Sequence, residues 1–307
     1  MDAGLLLDRI GLTGRAHLIV DTPDGDQALL VEISIDEMLE CWNDARAAIA
    51  DTKRWPVVCS SMLPGGHGVS WTDQFRERDL FSRWSYGQAE SDLDVSPKAL
   101  IARATDLDLD ARLDERATKT GEYWSARIDK WIEYDVPITE ERVGTRPDDA
   151  AVRAAALEGP RDASRAIDRF LYSWERQHGY DVVPDLRYQT WYEPPEVLAL
   201  VLLPTNLPWE VHAYEGSLYD MTAYGGEIVI AAAQRWHERW GAEPVALWGT
   251  MIQFMVSRRP ASPDDAWMLA REHDILAENT LSNPGIPLRD HARALKVLDR
   301  WFLHSRP

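Results

Sequence analysis

The run VLALVLL at 197–203 constrains this chain more than any other stretch. Seven apolar residues in succession, with none of the polar alternation of a half-solvated strand, predict a β-strand covered on both faces. No apolar run approaches the ~20 residues needed to cross a bilayer as a helix, so no membrane partner is expected.

Other stretches fall into place around that strand. Residues 17–20 (HLIV) and 27–33 (QALLVEI) are β-prone, and Pro23-Asp24-Gly25 supplies turn chemistry between them, which predicts a hairpin. Ser34 and Glu37 read as a capping box for a helix on which Met38, Trp42, Ala45 and Ile49 form one buried face. Pro56 to Ser60 is the next strand, completing a ββαβ unit. A helix is expected over 74–84, and mostly helix beyond it. Ser96-Pro97 opens one segment; Trp124, Ile128 and Trp131 mark a stripe, and Ala163, Ile167, Phe170 and Trp174 another. Between the stripes, VPITEERVGTRPDDA at 136–150 reads as a linker because Pro and Gly punctuate it. Downstream of 203 the pattern predicts a helix over 227–240 ending before Gly241, and strands near 244–248 and 251–257. Another helix opens at Ser262-Pro263, and a last one over 287–303 carries Leu288, Ala292, Leu295, Leu298 and Phe302 on one side. The fold class is therefore α+β: an N-terminal ββαβ unit, a helical middle segment and a C-terminal mixed sheet with flanking helices. The corresponding segments are 1–90, 91–182 and 183–307.

Charge narrows the function classes. The chain has 51 acidic and 33 basic residues, a net charge of -18, which argues against nucleic acid as a partner and allows steering of a basic protein. Residues 1–153 hold 30 acids and 18 bases, so -12 of the -18 lies in that half. The N-terminus lacks the basic region and cleavage site of a signal peptide. Cys41 and Cys59 are too few for a disulfide framework and read as small buried hydrophobes, so the expected location is cytoplasmic.

The candidate chemistry is thin. His67 lies in PGGHG at 64–68, a surface turn or an anion cradle, but without the Lys-Ser/Thr of a P-loop. Asp106, Asp108 and Asp110 resemble the start of a calcium loop, yet Ala111 and Ala117 stand where Gly and a bidentate Glu are needed, so a solvated helix edge is expected. No metal and no cofactor is expected. Between Leu186 and Tyr224, Tyr188, Trp191, Tyr192, Trp209, Tyr214, Tyr219 and Tyr224 make seven aromatics in 39 residues. They read either as a binding surface or as rings folded back over a small sheet. Glu210 and His212 among them, with His67, are the candidate acid–base groups.

Three stretches carry a resemblance: VLALVLLPTNLPWE (197–210), RWHERWGAEPVAL (235–247) and VSRRPASPDDAWMLAREHDI (256–275). Their order resembles a bacterial family of uncharacterised proteins, domain of unknown function 4253, and residues 29–58 resemble the N-terminal part of its longer members. Cysteines that follow the Gly pair and the Arg-Glu-His helix in that family are replaced here by EIVIAAA and ILAENT. The resemblance implies an architecture and no activity. Acidity, loop aromatics and the lack of a catalytic motif point to a non-catalytic protein-binding module, immunity-like or antitoxin-like, with a basic protein as partner. The alternative is a small-molecule hydrolase using His and carboxylate groups. The sequence leaves the oligomeric state open.

Overall fold

The computed structural model describes residues 2–61, 69–77, 81, 94–125, 128–158, 163–194, 197–214 and 226–306, and at 77 and within 119–125 the backbone alone. Its strands are β1 (His17–Asp21), β2 (Gln27–Ile33), β3 (Trp55–Ser60), β4 (Leu198–Leu203), β5 (Ala242–Leu247), β6 (Met251–Val256) and β7 (Arg300–His304). They form one seven-stranded sheet in the order β1-β2-β4-β3-β5-β6-β7. The β3–β5 pair is parallel and every other pair antiparallel, which makes the sheet mixed. The apolar run at 197–203 supplies β4, buried at all six positions and flanked by β2 and β3. With hydrogen-bonded neighbours on both edges and no solvated face, β4 is the strand its composition requires.

The helices among the described residues are α1 (Ala3–Arg9), α2 (Met38–Ala47), α3 (Ile49–Thr52), α4 (Trp71–Glu77), α5 (Pro97–Thr105), α6 (Leu109–Ser125), α7 (Ile128–Val143), α8 (Asp149–Glu158), α9 (Ala163–Gln177), α10 (Val211–Tyr214), α11 (Glu227–Trp240), α12 (Pro263–Leu276), α13 (Asn279–Ser282) and α14 (Leu288–Leu295). Two compact units emerge. The first, Met1–Leu107, Gln189–Arg258 and Asp299–Pro307, holds the whole sheet; the second, Asp108–Tyr188 and Arg259–Leu298, is helical. Each unit is assembled from separated stretches of the chain.

In the sheet unit, Trp42 and Met38 on α2 are buried, and the Trp42 indole donates to the Pro56 carbonyl at 3.0 Å, tying α2 to β3. Trp236 of α11 meets Phe254 of β6 and Trp301 of β7 edge-on, with ring centroids 5.9 and 6.1 Å away. In the helical unit, Ile132, Val136, Val152, Ala156, Ala163, Ile167 and Leu171 form one apolar core.

Two expectations are corrected. The stretch 136–150 is no linker: α7 runs through Pro137 to Val143, and α8 begins at Asp149. A proline inside a helix costs about 3 kcal/mol. Here Ile132, Val136 and Thr139 are buried on α7, and this packing outweighs the local cost. The helix expected over 287–303 stops at Leu295, and Phe302 lies on β7, where Arg300–His304 pairs with β6 in antiparallel register. The Trp-Phe-Leu sequence is β-prone, and a waiting sheet edge decides between two local options. Of the helix expected over 74–84, α4 spans Trp71–Glu77, and 78–80 and 82–84 lie outside the described residues.

Gly241 closes α11 in the left-handed region at φ 62°, and its amide donates to the His237 carbonyl at 2.8 Å. A Cβ there would collide with the Ser257 side chain as well as strain the backbone. Gly241→Ala is expected to destabilise the protein by about 1–2 kcal/mol, read as a lowered urea midpoint at unchanged slope.

Candidate functional site

Among the described residues, the largest assembly of chemically capable side chains lies inside the helical unit. It grows from helices whose polar residues repeat in phase with their apolar ones. On α9, Asp168 and Glu175 stand seven residues apart, two helical turns, on the side that also buries Ile167 and Leu171. On α7, Asp135, Thr139 and Arg142 follow the same phase as Ile132 and Val136. On α14 all eight residues are buried, including Arg289, Asp290, His291 and Arg293.

Glu175 is the hub. Its carboxylate accepts from the Thr139 hydroxyl at 2.8 Å, Arg142 Nη1 at 3.2 Å, Arg289 Nε at 3.2 Å and Arg293 Nη2 at 2.6 Å. Asp290 takes both Nη atoms of Arg142, at 2.9 and 2.6 Å, and Arg293 Nη1 at 2.8 Å. Arg289 Nη1 donates to Asp135 at 2.9 Å and to Asp168, whose other oxygen accepts from the Arg289 amide at 2.9 Å. Burial works against the Arg289 charge, but Asp168, Asp135 and Glu175 together hold its guanidinium above the ordinary arginine value. The guanidinium of Arg293 sits 5.2 Å from the ring centroid of Tyr172 and 5.0 Å from that of Tyr180, so aromatic faces complete its shell.

A second polar chain runs beside the first. The Tyr188 hydroxyl lies 2.8 Å from His291 Nδ1, and His291 Nε2 lies 3.1 Å from His273 Nδ1. Two proton arrangements satisfy it. Either the phenol donates inward and His291 passes a hydrogen on to His273, or His273 donates to His291 and His291 to the phenol oxygen. His291 accepts at one ring nitrogen in either case and must therefore be neutral. Burial pushes His291 down to about 3, and burial with the neighbouring His291 pushes His273 well below the usual histidine range. Burial, with Asp290 adding to it, raises the Tyr188 phenol.

The candidates read from sequence are dispersed among other tasks. His67, Tyr219 and Tyr224 lie outside the described residues. Glu210 hydrogen-bonds the Thr205 hydroxyl, which also accepts from the Leu207 amide at 3.1 Å, so this carboxylate organises its own turn. His212 on α10 is buried with its ring 5.9 Å from Phe254, and burial pushes it down to about 3. Trp209 packs 5.4 Å from the His237 ring. Tyr214 is buried and its phenol is pushed up to about 12, by burial first and Glu210 next. Trp191 donates to the Trp301 carbonyl at 3.3 Å and carries Arg300 over its ring, while Tyr192 is exposed. Trp209, Glu210, His212 and Tyr214 are thus neighbours along one turn, Trp191 serves β7, and Tyr188 belongs to the helical unit. Asp106, Asp108 and Asp110 are exposed, and Asp108 caps α6 by accepting from the Ala111 amide at 3.1 Å. Among the described residues no group of three or more His, Cys, Asp or Glu is placed to hold a metal.

The Arg–carboxylate network was invisible to motif reading, because no motif contains it. Its trace in the sequence is the phase of Asp168 and Glu175 with Ile167 and Leu171. Chemically, the network sets three guanidiniums against four carboxylates, each with an opposite charge in hydrogen-bonding range, and it continues from Arg293 to Asp181 and Lys296. Such a cluster fixes helix register.

Glu175→Gln keeps the shape and removes the hub's charge, leaving buried guanidiniums undercompensated. We expect a loss of about 3–5 kcal/mol in urea unfolding. Thr139→Val, which deletes one neutral donor, should cost about 1 kcal/mol. The neutral imidazoles set a pH dependence. The folded value of His291 is depressed from 6.5 to about 3, so its contribution is complete above about pH 6.5 and is lost as pH falls from there towards 3. Stability should drop by about 2 kcal/mol for this residue between pH 7 and pH 5, and the drop should shrink in His291→Asn.

No helix among the described residues is long and apolar enough to cross a membrane. No curated protein and no solved structure matches the chain. Residues 199–304, which span β4 to β7 and include α12 to α14, match the model of the family described as Domain of unknown function (DUF4253).

Proposed function

We propose that the protein is a non-catalytic binding module for a basic protein, with an immunity-like or antitoxin-like factor as its concrete form and the cytoplasm as its place. The observation that carries the reading is the outward face of α2. Asp36, in the turn just before α2, and Glu40 and Asp44 along it recur every four residues, all exposed. The like charges of Glu40 and Asp44, the pair within the helix, cost it about 0.2–0.5 kcal/mol. The arginines nearby do not offset them, since Arg15 is paired with Glu37 at 2.7 Å and Arg46 with Glu243 at 2.6 Å. An unneutralised acidic row is retained at a cost to the fold, as expected where a cationic partner supplies the missing charge.

The charge inventory supports the same reading. The buried network holds three arginines and four carboxylates, a sum of -1, so -17 of the net -18 lies elsewhere on the chain. The hydrolase reading has less to stand on, because His212 is enclosed and Glu210 is engaged by Thr205. Cys41 and Cys59 are free and buried, which suits a reducing compartment.

The test is affinity capture from the native host with the wild-type chain and with Asp36→Lys/Glu40→Lys/Asp44→Lys. The expected result is a basic protein retained by the wild type, released by rising salt, and captured at least about tenfold less by the triple variant. No protein captured at low or moderate salt, or one captured equally by both chains, would contradict the proposal.

A further inference from the structure

The two edges of the sheet are finished differently. At β7 the outward backbone groups of Phe302 are both taken: its amide donates to Gln189 Oε1 at 3.0 Å, and its carbonyl accepts from Gln189 Nε2 at 3.2 Å. A buried glutamine amide thus imitates one residue of a further strand and blocks that edge at its central residue. At β1 nothing comparable occurs. Its antiparallel register with β2 pairs Leu18 with Leu30 and Val20 with Ala28. The Ala16 carbonyl accepts from the Glu32 amide at 2.9 Å, and the Thr22 amide donates to the Asp26 carbonyl at 2.7 Å. Even-numbered residues therefore face β2, and the amides and carbonyls of His17, Ile19 and Asp21 point away from the sheet. Among the described residues these backbone groups have no hydrogen-bond partner. His17, Ile19 and Asp21 are exposed, Ile19 at 39 %. The strand carries no proline, no lysine and no register shift, the usual protections of a free edge.

We propose that β1 pairs with β1 of a second copy of this chain, antiparallel about a two-fold axis at Ile19. The sequence His-Leu-Ile-Val-Asp is chemically self-complementary in that register. Ile19 faces Ile19 of the second copy, Leu18 faces Val20, and His17 faces Asp21 at both ends. The outward residues all fall on hydrogen-bonded positions, so three residue pairs exchange about six backbone hydrogen bonds. The side chains have the capacity required: His17 uses only Nδ1, towards the Arg15 carbonyl at 3.1 Å, and Asp21 only Oδ1, towards Gln27 at 3.2 Å.

Charge selects both the occupant and the register. Two chains of net charge -18 repel, and an edge contact survives only if carboxylates avoid each other. Sliding the pairing so that Asp21 meets Asp21 sets like charges opposite, which destabilises a cross-strand pair. The register centred on Ile19 gives every Asp21 an imidazole. A basic strand from another protein would satisfy Asp21 but would bring cations towards His17 and Arg15. The contact is isologous and closes as a dimer, because among the described residues each β1 has one free edge. It is independent of the acidic face of α2, and the α2 triple variant should still dimerise.

The test is sedimentation velocity on the full chain from about 5 to about 200 µM, the range suited to a small interface. The expected result is a shift from 34.9 kDa towards twice that mass. Ile19→Pro removes an amide that serves no native bond and should leave a folded monomer by near-ultraviolet circular dichroism. His17→Asp should weaken the dimer by about tenfold, and the swap His17→Asp/Asp21→His should restore it, since the pair is then merely reversed. A monomer at every concentration would overturn the proposal. So would a dimer indifferent to Ile19→Pro, a folded swap variant as weak as His17→Asp, or a chain that stays monomeric and uses β1 to capture a basic protein.

Discussion

The helical unit depends on one buried carboxylate. Glu175 collects three guanidiniums and a hydroxyl from α7 and α14, and without it those cations would face a low-dielectric interior with too little negative charge. Ion pairs of this kind are poor sources of net stability, because desolvation consumes most of the Coulomb gain. Their value is selectivity. Two guanidiniums four residues apart on α14, meeting carboxylates from α7 and α9, admit one register of these helices, whereas an apolar interface would tolerate several. The network also accounts for a helix that tolerates Pro137, since Arg142 and Thr139 on the same helix are held by Glu175.

Charge is thereby sorted. In the buried network of the helical unit it is cancelled to -1 and locked in geometry; the remaining -17 lies elsewhere on the chain. A protein that used its titratable groups for chemistry would present some of them, partly buried and partly wet, to a substrate. Here the strongly perturbed histidines, His212, His273 and His291, are fully enclosed, and their low affinity for protons follows from burial rather than from tuning by a catalytic partner. The acidic face of α2 has the opposite character: exposed, unpaired and unfavourable for the isolated helix.

Much of the fold could be read from the sequence. The hairpin at β1–β2, the buried strand β4, the helix closed by Gly241 and the Ser262 cap were legible because each is encoded locally, by periodicity or by a residue with one conformational use. Pro137 and the 287–303 stretch misled for a common reason. In both, the local signal was outweighed by a long-range one, core and ion-pair contacts for α7 and an available strand edge for Phe302. The site was less legible still. Glu175 acquires its meaning from Arg142, Arg289 and Arg293, which lie 33, 114 and 118 residues away, and no spacing rule joins positions so distant. The aromatic cluster between 186 and 224 was visible as a composition, but composition does not say that Trp191 would serve β7 while Tyr188 would reach His291.

The central claim is that the charged interior of the helical unit is scaffold, permanently paired and closed to solvent. Side-chain hydrogen exchange of the arginine guanidiniums, followed by nitrogen-15 NMR at neutral pH, tests it most directly. The Nε–H signals of Arg289 and Arg293 should be resolved and should exchange only as fast as the backbone amides of α9 and α14. Exchange of those signals at the rate of exposed arginines such as Arg187 would show that the cluster opens to water and would contradict the account.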